Sequence, residues 1–158
     1  MLLQERLHQL CIEKGVSVAV AESCTSGIIA SKITSVSGAS SYFKGGVVAY
    51  QNEIKVNVLG VSQVLIDEKT EVSEEVVVQM AEGVRRIFSV DYSVATSGYA
   101  GPSGGTNINP IGTIFITVSS SETTSVSRFV FEGDRQVVVN QASEKSLSLL
   151  CDVIKKQE

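Results

Sequence analysis

The stretch "VAVAESCTSGIIASKIT", residues 18–34, passes from an apolar run through an acid, a hydroxyl, a thiol and a second hydroxyl into a helical pattern. "VSVAVA" (16–21) reads as a buried strand, and "TSGIIASKITSV" (25–36) as a short helix with Ile28, Ile29 and Ile33 on its inner side. A buried strand feeding a helix is the unit from which α/β sheets are built. The four residues at the junction, Glu22, Ser23, Cys24 and Thr25, admit two readings. Ser23 or Thr25 can cap the helix. Alternatively, Ser23 is a nucleophile at a helix N-terminus, where unpaired backbone N–H groups and the positive dipole end favour an oxyanion.

Outward from this junction the alternation continues. A first helix carries Leu3, Leu7 and Leu10 on one stripe and stops at Gly15, a natural left-handed cap. "GVVAY" (46–50) is a second strand, followed by one or two helical turns in "QNEIKVNVLGV" (51–61). Ser73 caps the clearest helix, with Val77, Met80, Ala81, Val84, Ile87 and Phe88 as its core-facing stripe. "DYSVAT" (91–96) is the next strand and opens into the Gly-rich loop "SGYAGPSGGTNINP" (97–110). "IGTIFITVSS" and "VSRFVFEG" alternate apolar and polar residues across a Ser/Thr turn, a hairpin pattern. Asp134 caps a last helix with Val139, Ala142, Leu149, Leu150 and Val153 facing inward. The sum is an α/β fold: a three-layer α/β/α sandwich with a mixed, mostly parallel sheet, in one domain over residues 1–158. Ligands of such sheets bind beyond the carboxyl ends of the parallel strands. "ESCTSG" and "SGYAGPSGG" both follow strands and are expected to meet there.

Composition narrows the function classes. A net charge of −4 with 13 Lys+Arg lacks the clustered cations of a nucleic-acid surface, and "VRRIF" and "IKK" fall within helical patterns. Cys11, Cys24 and Cys151 are scattered and form no CxxC or Cys/His pair, so neither a disulfide framework nor a metal site is expected. No apolar run reaches the ~18 residues of a membrane span. "MLLQERLHQLCIEKG" carries an acid among its first charges, unlike a signal peptide, and a cytoplasmic location is expected.

The chemistry narrows by subtraction. There is no GxxxxGK[ST] and no GxSxG. His8, the one histidine, lies beside Leu7 in the first amphipathic helix, so Ser–His–Asp and Cys–His mechanisms lack their base. A nucleophilic serine would then need a lysine, a known variant of triad logic. Lys55 follows the second strand by five residues, where a helical turn can return it to the strand end, although a solvated helix lysine is the ordinary expectation. A base working near neutral pH must lie far below the ~10.4 of a free lysine, a gap of about 4 kcal/mol that burial or a cationic substrate can supply and exposure cannot. Without a histidine, Cys24 reads as a small buried filler. The Gly-rich loop offers hydroxyls and N–H groups to an anion, and Arg135, near a helix start, can pair with a phosphate or with a surface carboxylate.

"AESCTSG", "VVAYQNEIKVNVLGV", "EVSEEVVVQMAEG", "SGYAGPSGG", "PIGTIFI" and "FEGDRQVVVNQA" occur in one order at compact spacings. In this the chain resembles, from about residue 18 to 150, the C-terminal domain family of the competence/damage-inducible protein CinA, whose stand-alone members are nicotinamide-nucleotide amidases (PncC). The resemblance implies hydrolysis of nicotinamide mononucleotide to nicotinate mononucleotide and ammonia, with no cofactor and no metal. It implies a Ser23–Lys55 pair assisted by Tyr50. Glu22, Cys24, Thr25, Ser97, Gly98, Gly101, Gly104, Gly105 and Arg135 are implied around the nucleotide, with Glu22 facing the pyridinium or a ribose hydroxyl. It implies a homodimer or larger homo-oligomer, and no nucleic-acid or membrane partner. Two departures stand out. Ser26 replaces the first of two glycines usual after "SCT", where a side chain could crowd the start of the helix or reach the substrate. Asn109 replaces a lysine that often precedes the proline. A nucleotide-binding module without turnover, and a Ser–Lys amidase or esterase on another small substrate, are the alternative expectations.

Overall fold

A computed structural model describes residues 1–157. Among these, five strands and six α-helices follow in the order α1 (Leu3–Lys14), β1 (Val18–Glu22), α2 (Ile28–Thr34), β2 (Phe43–Val48), α3 (Asn52–Asn57), α4 (Gln63–Lys69), α5 (Glu74–Phe88), β3 (Tyr92–Gly98), β4 (Thr113–Ser120), β5 (Thr124–Val130) and α6 (Arg135–Lys156). The sheet order is β2-β1-β3-β4-β5. The pairs β1–β2 and β1–β3 are parallel, and β3–β4 and β4–β5 are antiparallel. Four strands therefore point one way and β4 opposes them, giving the expected mixed, mostly parallel sheet.

The pleat divides two cores. Val18 and Val20 of β1, Val94 of β3 and Ile114, Ile116 and Val118 of β4 face α1, α2 and α6. Ala19, Ala21, Ala95 and Phe115 point oppositely, onto α5 and the α3–α4 segment. All five β1 residues are buried, as a strand covered on both faces must be. Each fully buried Leu or Ile, such as Leu7, Ile29, Ile116 or Leu147, contributes about 1.5–3 kcal/mol.

The local signals held at several points. Gly15 closes α1 in the left-handed region, and the Ser73 and Asp134 side chains accept from the N–H groups of Val76 and Val137. Elsewhere the structure corrects the expectation. In α5 Ile87 lies outside the buried stripe, and in α6 Leu149 and Val153 are half-buried while Leu147, Cys151 and Ile154 fill the core. The polar positions of β4 are not solvated. Thr113, Thr117 and Ser119 are buried, and Ser119 accepts a hydrogen bond from the Nε of Arg85 on α5. The apolar–polar alternation of β4 thus distinguishes two covered faces. Helix α4, in "QVLIDEK", carries too short a stripe to be expected. No helix of the described residues is long and apolar enough to cross a membrane.

Candidate active site

Three segments leave the carboxyl ends of adjacent parallel strands and converge. Glu22 pairs with Val48 and with Thr96 in the two parallel ladders. Beyond these pairs the Ser23 N–H donates to Thr96 O (3.2 Å) and the Ala49 N–H to Glu22 O (2.8 Å). The three chain exits, after β1, β2 and β3, are thereby held side by side. Between them lies a cleft of about 350 Å³ lined by Ser23, Lys55, Ser97, Glu71, Asn52 and Arg135 among others. The convergence of "ESCTSG" and "SGYAGPSGG" is as the sequence suggested.

The junction differs from the expected helix N-terminus. Residues 23–27 form successive turns, with Ser26 N–H donating to Ser23 O and Ile28 N–H to Thr25 O, and α2 begins only at Ile28. Capping falls to neither Ser23 nor Thr25. The buried Glu22 carboxylate accepts from the N–H groups of Ile29 (2.9 Å) and Ala30 (3.0 Å), placing negative charge at the positive end of α2. Glu22 is wholly buried and does not line the cleft, so the structure corrects its expected contact with the substrate. Thr25, also wholly buried, shares a 2.8 Å hydrogen bond with the hydroxyl of Thr96 and fastens the turn to β3 instead of reaching a ligand. Ser23 is left uncommitted at the cleft wall, about 8% exposed. Among the described residues, the N–H groups of Cys24, Thr25 and Gly27 have no hydrogen-bond partner. Two of these immediately follow the serine, as an oxyanion site requires.

Ser26 adopts φ 47°, the left-handed region where glycine is usual, and its side chain is exposed outside the cleft. The departure from the glycine pattern therefore lies in backbone strain and not in crowding. Ser26→Gly should raise unfolding stability by about 0.5–1 kcal/mol, read as a higher urea midpoint at unchanged m. An unchanged or lower midpoint would contradict this.

Lys55 is almost wholly buried, 1% exposed. Its Nζ donates to Tyr50 O (3.3 Å) and, at a longer 3.5 Å, to Asn52 Oδ1. It joins no ion pair among the described residues. Burial lowers its pKa below the usual lysine range, while the negative charge of Glu71 opposes the shift. A neutral amine has two N–H donors and one lone pair. Both donors are occupied, which leaves the lone pair to take a proton. The Cys24 thiol is pushed up to about 12, chiefly by burial, and stays protonated at neutral pH. It is no competing nucleophile.

The remaining expected residues separate. Arg135, the first residue of α6, donates to Gly101 O (2.7 Å) and to the phenol of Tyr50 (3.0 Å), and lines the cleft without a carboxylate partner among the described residues. Tyr50 thus meets Lys55 through its carbonyl and Arg135 through its phenol. Ser97 lines the cleft, and its hydroxyl donates to Glu71 O at 2.7 Å. Gly98 lines it too, although a Cβ there would come within 2.4 Å of Thr113 O, so the tight β3–β4 approach explains the glycine. Gly101, Gly104 and Gly105 lie outside the cleft lining. Asn109 is also outside the lining, behind it: it donates to the O of Val72, a lining residue, and accepts from Arg128.

Sequence reasoning missed Asn52, Glu71, Tyr99 and Ser103 in the lining. Asn52 was findable, since it precedes Lys55 by three residues on one helical face. Glu71 opens the quoted segment "EVSEEVVVQMAEG", but no local pattern marks it as a site residue. Among the described residues, no three His, Cys, Asp or Glu side chains gather as a metal-ligand set.

Comparison with known proteins adds a family. Residues 2–154 match the model of the CinA C-terminal domain. A CinA-like protein of Fervidobacterium nodosum is 40% identical over 148 residues, covering 94% of this chain and 36% of that protein. One from Thermotoga neapolitana is 40% identical over 155 residues, covering 98% and 38%. The chain thus spans little more than a third of the length of these relatives. Competence damage-inducible protein A from Klebsiella pneumoniae superposes with a TM-score of 0.95 at 31% identity, covering 99% of this chain and 97% of that one. A CinA superfamily protein from Enterobacter cloacae gives 0.92 at 34% identity, covering 96% and 90%.

Proposed function

We propose that this chain, which belongs to the CinA C-terminal domain family, is a nicotinamide-nucleotide amidase that converts nicotinamide mononucleotide to nicotinate mononucleotide and ammonia. The observation that carries the reading is the buried, unpaired Lys55 opening on the same cleft as the uncommitted Ser23.

Neutral Lys55 takes the Ser23 proton as Oγ attacks the carboxamide carbon. The N–H groups of Cys24 and Thr25 receive the oxyanion, each such donor contributing on the order of 10²–10³ in rate. The Lys55 ammonium passes its proton to the amide nitrogen, the C–N bond breaks, and ammonia leaves an acyl ester on Ser23. Water then adds to the ester carbon and gives its proton to Lys55. The ester C–O bond breaks, Ser23 recovers the proton, and the carboxylic acid departs. Amide and water have become acid and ammonia. Arg135 keeps guanidinium donors for the substrate phosphate after its bonds to Tyr50 and Gly101.

The test is to incubate the purified protein with nicotinamide mononucleotide and quantify both products. Equal amounts of ammonia and nicotinate mononucleotide support the reading; tight binding without either product assigns a non-catalytic binding module. Nicotinamide riboside, which lacks the phosphate, should react with kcat/KM lower by roughly 10²-fold. Arg135→Ala should lower kcat/KM for the nucleotide about tenfold or more, leaving the riboside little changed. Equal rates for nucleotide and riboside would instead indicate an amidase for another small substrate.

A further inference from the structure

We propose that Glu71 is a specificity-determining residue that recognises the positive charge of the substrate ring. This role rests on the nucleotide-amidase reading and names a contact for which Glu22 is unavailable. Glu22 is buried and spent on the N-terminus of α2, so a cationic ring finds no partner there. Among the described residues, Glu71 is the one acidic side chain lining the cleft, which it shares with Ser23, Lys55 and Arg135.

The backbone around Glu71 is built to hold it. Thr70 adopts φ 69° and ψ 164°, a region otherwise left to glycine and unfavourable for a β-branched residue. Local bonds enforce this conformation. Thr70 N–H donates to Ile66 O (2.9 Å), and Thr70 Oγ1 accepts from Val72 N–H (3.3 Å). Ser73 Oγ donates to Thr70 O (2.9 Å), and Ser97 Oγ donates from the cleft floor to Glu71 O (2.7 Å). Residues 70–73, between α4 and α5, are thus tied to β3, and Glu71 is held beside Lys55. Strain of this kind persists where the surroundings over-determine it and concentrates at ligand clamps.

The charge layout then suits one substrate class, a nucleotide with a cationic ring and an anionic phosphate. The phosphate meets Arg135, and the ring, delivered with its carboxamide to Ser23, meets the carboxylate of Glu71. The same carboxylate repels the carboxylate product, which carries a new negative charge where the amide was.

The experiment uses Ser23→Ala protein, so that binding is read without turnover. Two ligands of nearly equal shape are titrated calorimetrically: nicotinamide mononucleotide, with its cationic ring, and the 1,4-dihydro form, whose ring is neutral. With Glu71 intact the cationic form should bind roughly tenfold more tightly, the scale of one partly solvated charge pair. Adding Glu71→Gln should remove that preference by weakening the cationic form alone, and Glu71→Asp should restore part of it. Equal affinity for the two forms with Glu71 intact overturns the role while leaving the amidase reading in place. An undiminished preference in Glu71→Gln does the same. Binding of neither form removes the nucleotide reading, and this role with it.

Discussion

On the proposed amidase reading, Ser23→Ala should lower kcat for nicotinamide mononucleotide by about 10⁴-fold or more and leave the folded protein and its nucleotide affinity largely intact. The magnitude follows from the chemistry, because Ser23 is the hydroxyl of the lining that directly precedes the free N–H groups of Cys24 and Thr25, and the Ser97 hydroxyl is committed to Glu71 O. The neighbouring Cys24 thiol is held protonated by burial, so it cannot substitute. The small structural effect follows from the local bonds. The Ser23 backbone N–H and C=O carry the turn, donating to Thr96 and accepting from Ser26, and both survive the change. Capping of α2 is performed by Glu22 and is likewise untouched. A loss of stability approaching that of a lost helix cap, about 1 kcal/mol or more, with activity retained, would show that Ser23 serves the fold and not the reaction.

That contrast shows how far the sequence was legible. Periodicity placed β1, β3, the β4–β5 hairpin, α5 and the caps at Ser73 and Asp134, because each is a local pattern read over a few residues. Removing histidine-based mechanisms led to Ser23 and Lys55, which do line one cleft. The assignment of Glu22 was not legible. An acid beside a nucleophile looks like a ligand group, and only the turns over residues 23–27 bring its carboxylate back onto the N–H groups seven and eight residues ahead. Glu71 was hidden for a different reason. Its approach to Lys55 depends on the unexpected helix α4 and on the unusual backbone of Thr70, neither of which leaves a periodic trace. Gly101, Gly104 and Gly105 stay outside the cleft lining for a third reason. Gly105 has φ 80° and would set a Cβ 2.8 Å from Ile111 N, so the loop's own path accounts for it.

Lys55→Met should lower kcat/KM by about 10³-fold or more while stabilising the fold near neutral and acid pH. Methionine matches the stem of lysine and needs no hydrogen bonds, so it fills the same buried volume. The stability effect has a definite pH dependence. Burial lowers the Lys55 pKa in the folded protein, whereas the unfolded chain keeps a value near ~10.4. Below the folded value both states are protonated, and the full penalty of burying the ammonium weighs on the wild type. Between the two values the unfolded chain binds more protons than the folded one, so wild-type stability rises with pH across that window. The advantage of methionine is therefore greatest at acid pH and shrinks as pH approaches ~10.4, which urea midpoints of the two proteins across that range will show. On the proposed mechanism activity obeys the same equilibrium, because only neutral Lys55 can take the Ser23 proton. The rate must fall as pH drops through the lowered value. The charged group at the cleft that bears on this limb is Glu71, which acts against burial to hold the lysine pKa up. Glu71→Gln removes the negative charge that holds the lysine pKa up, so it moves the acid limb to lower pH. Lys55→Arg separates charge from proton transfer, since a guanidinium stays protonated at every accessible pH and cannot act as base. An active Lys55→Arg enzyme would show that the site needs only a cation, and the acyl-transfer mechanism built on a neutral lysine would be wrong.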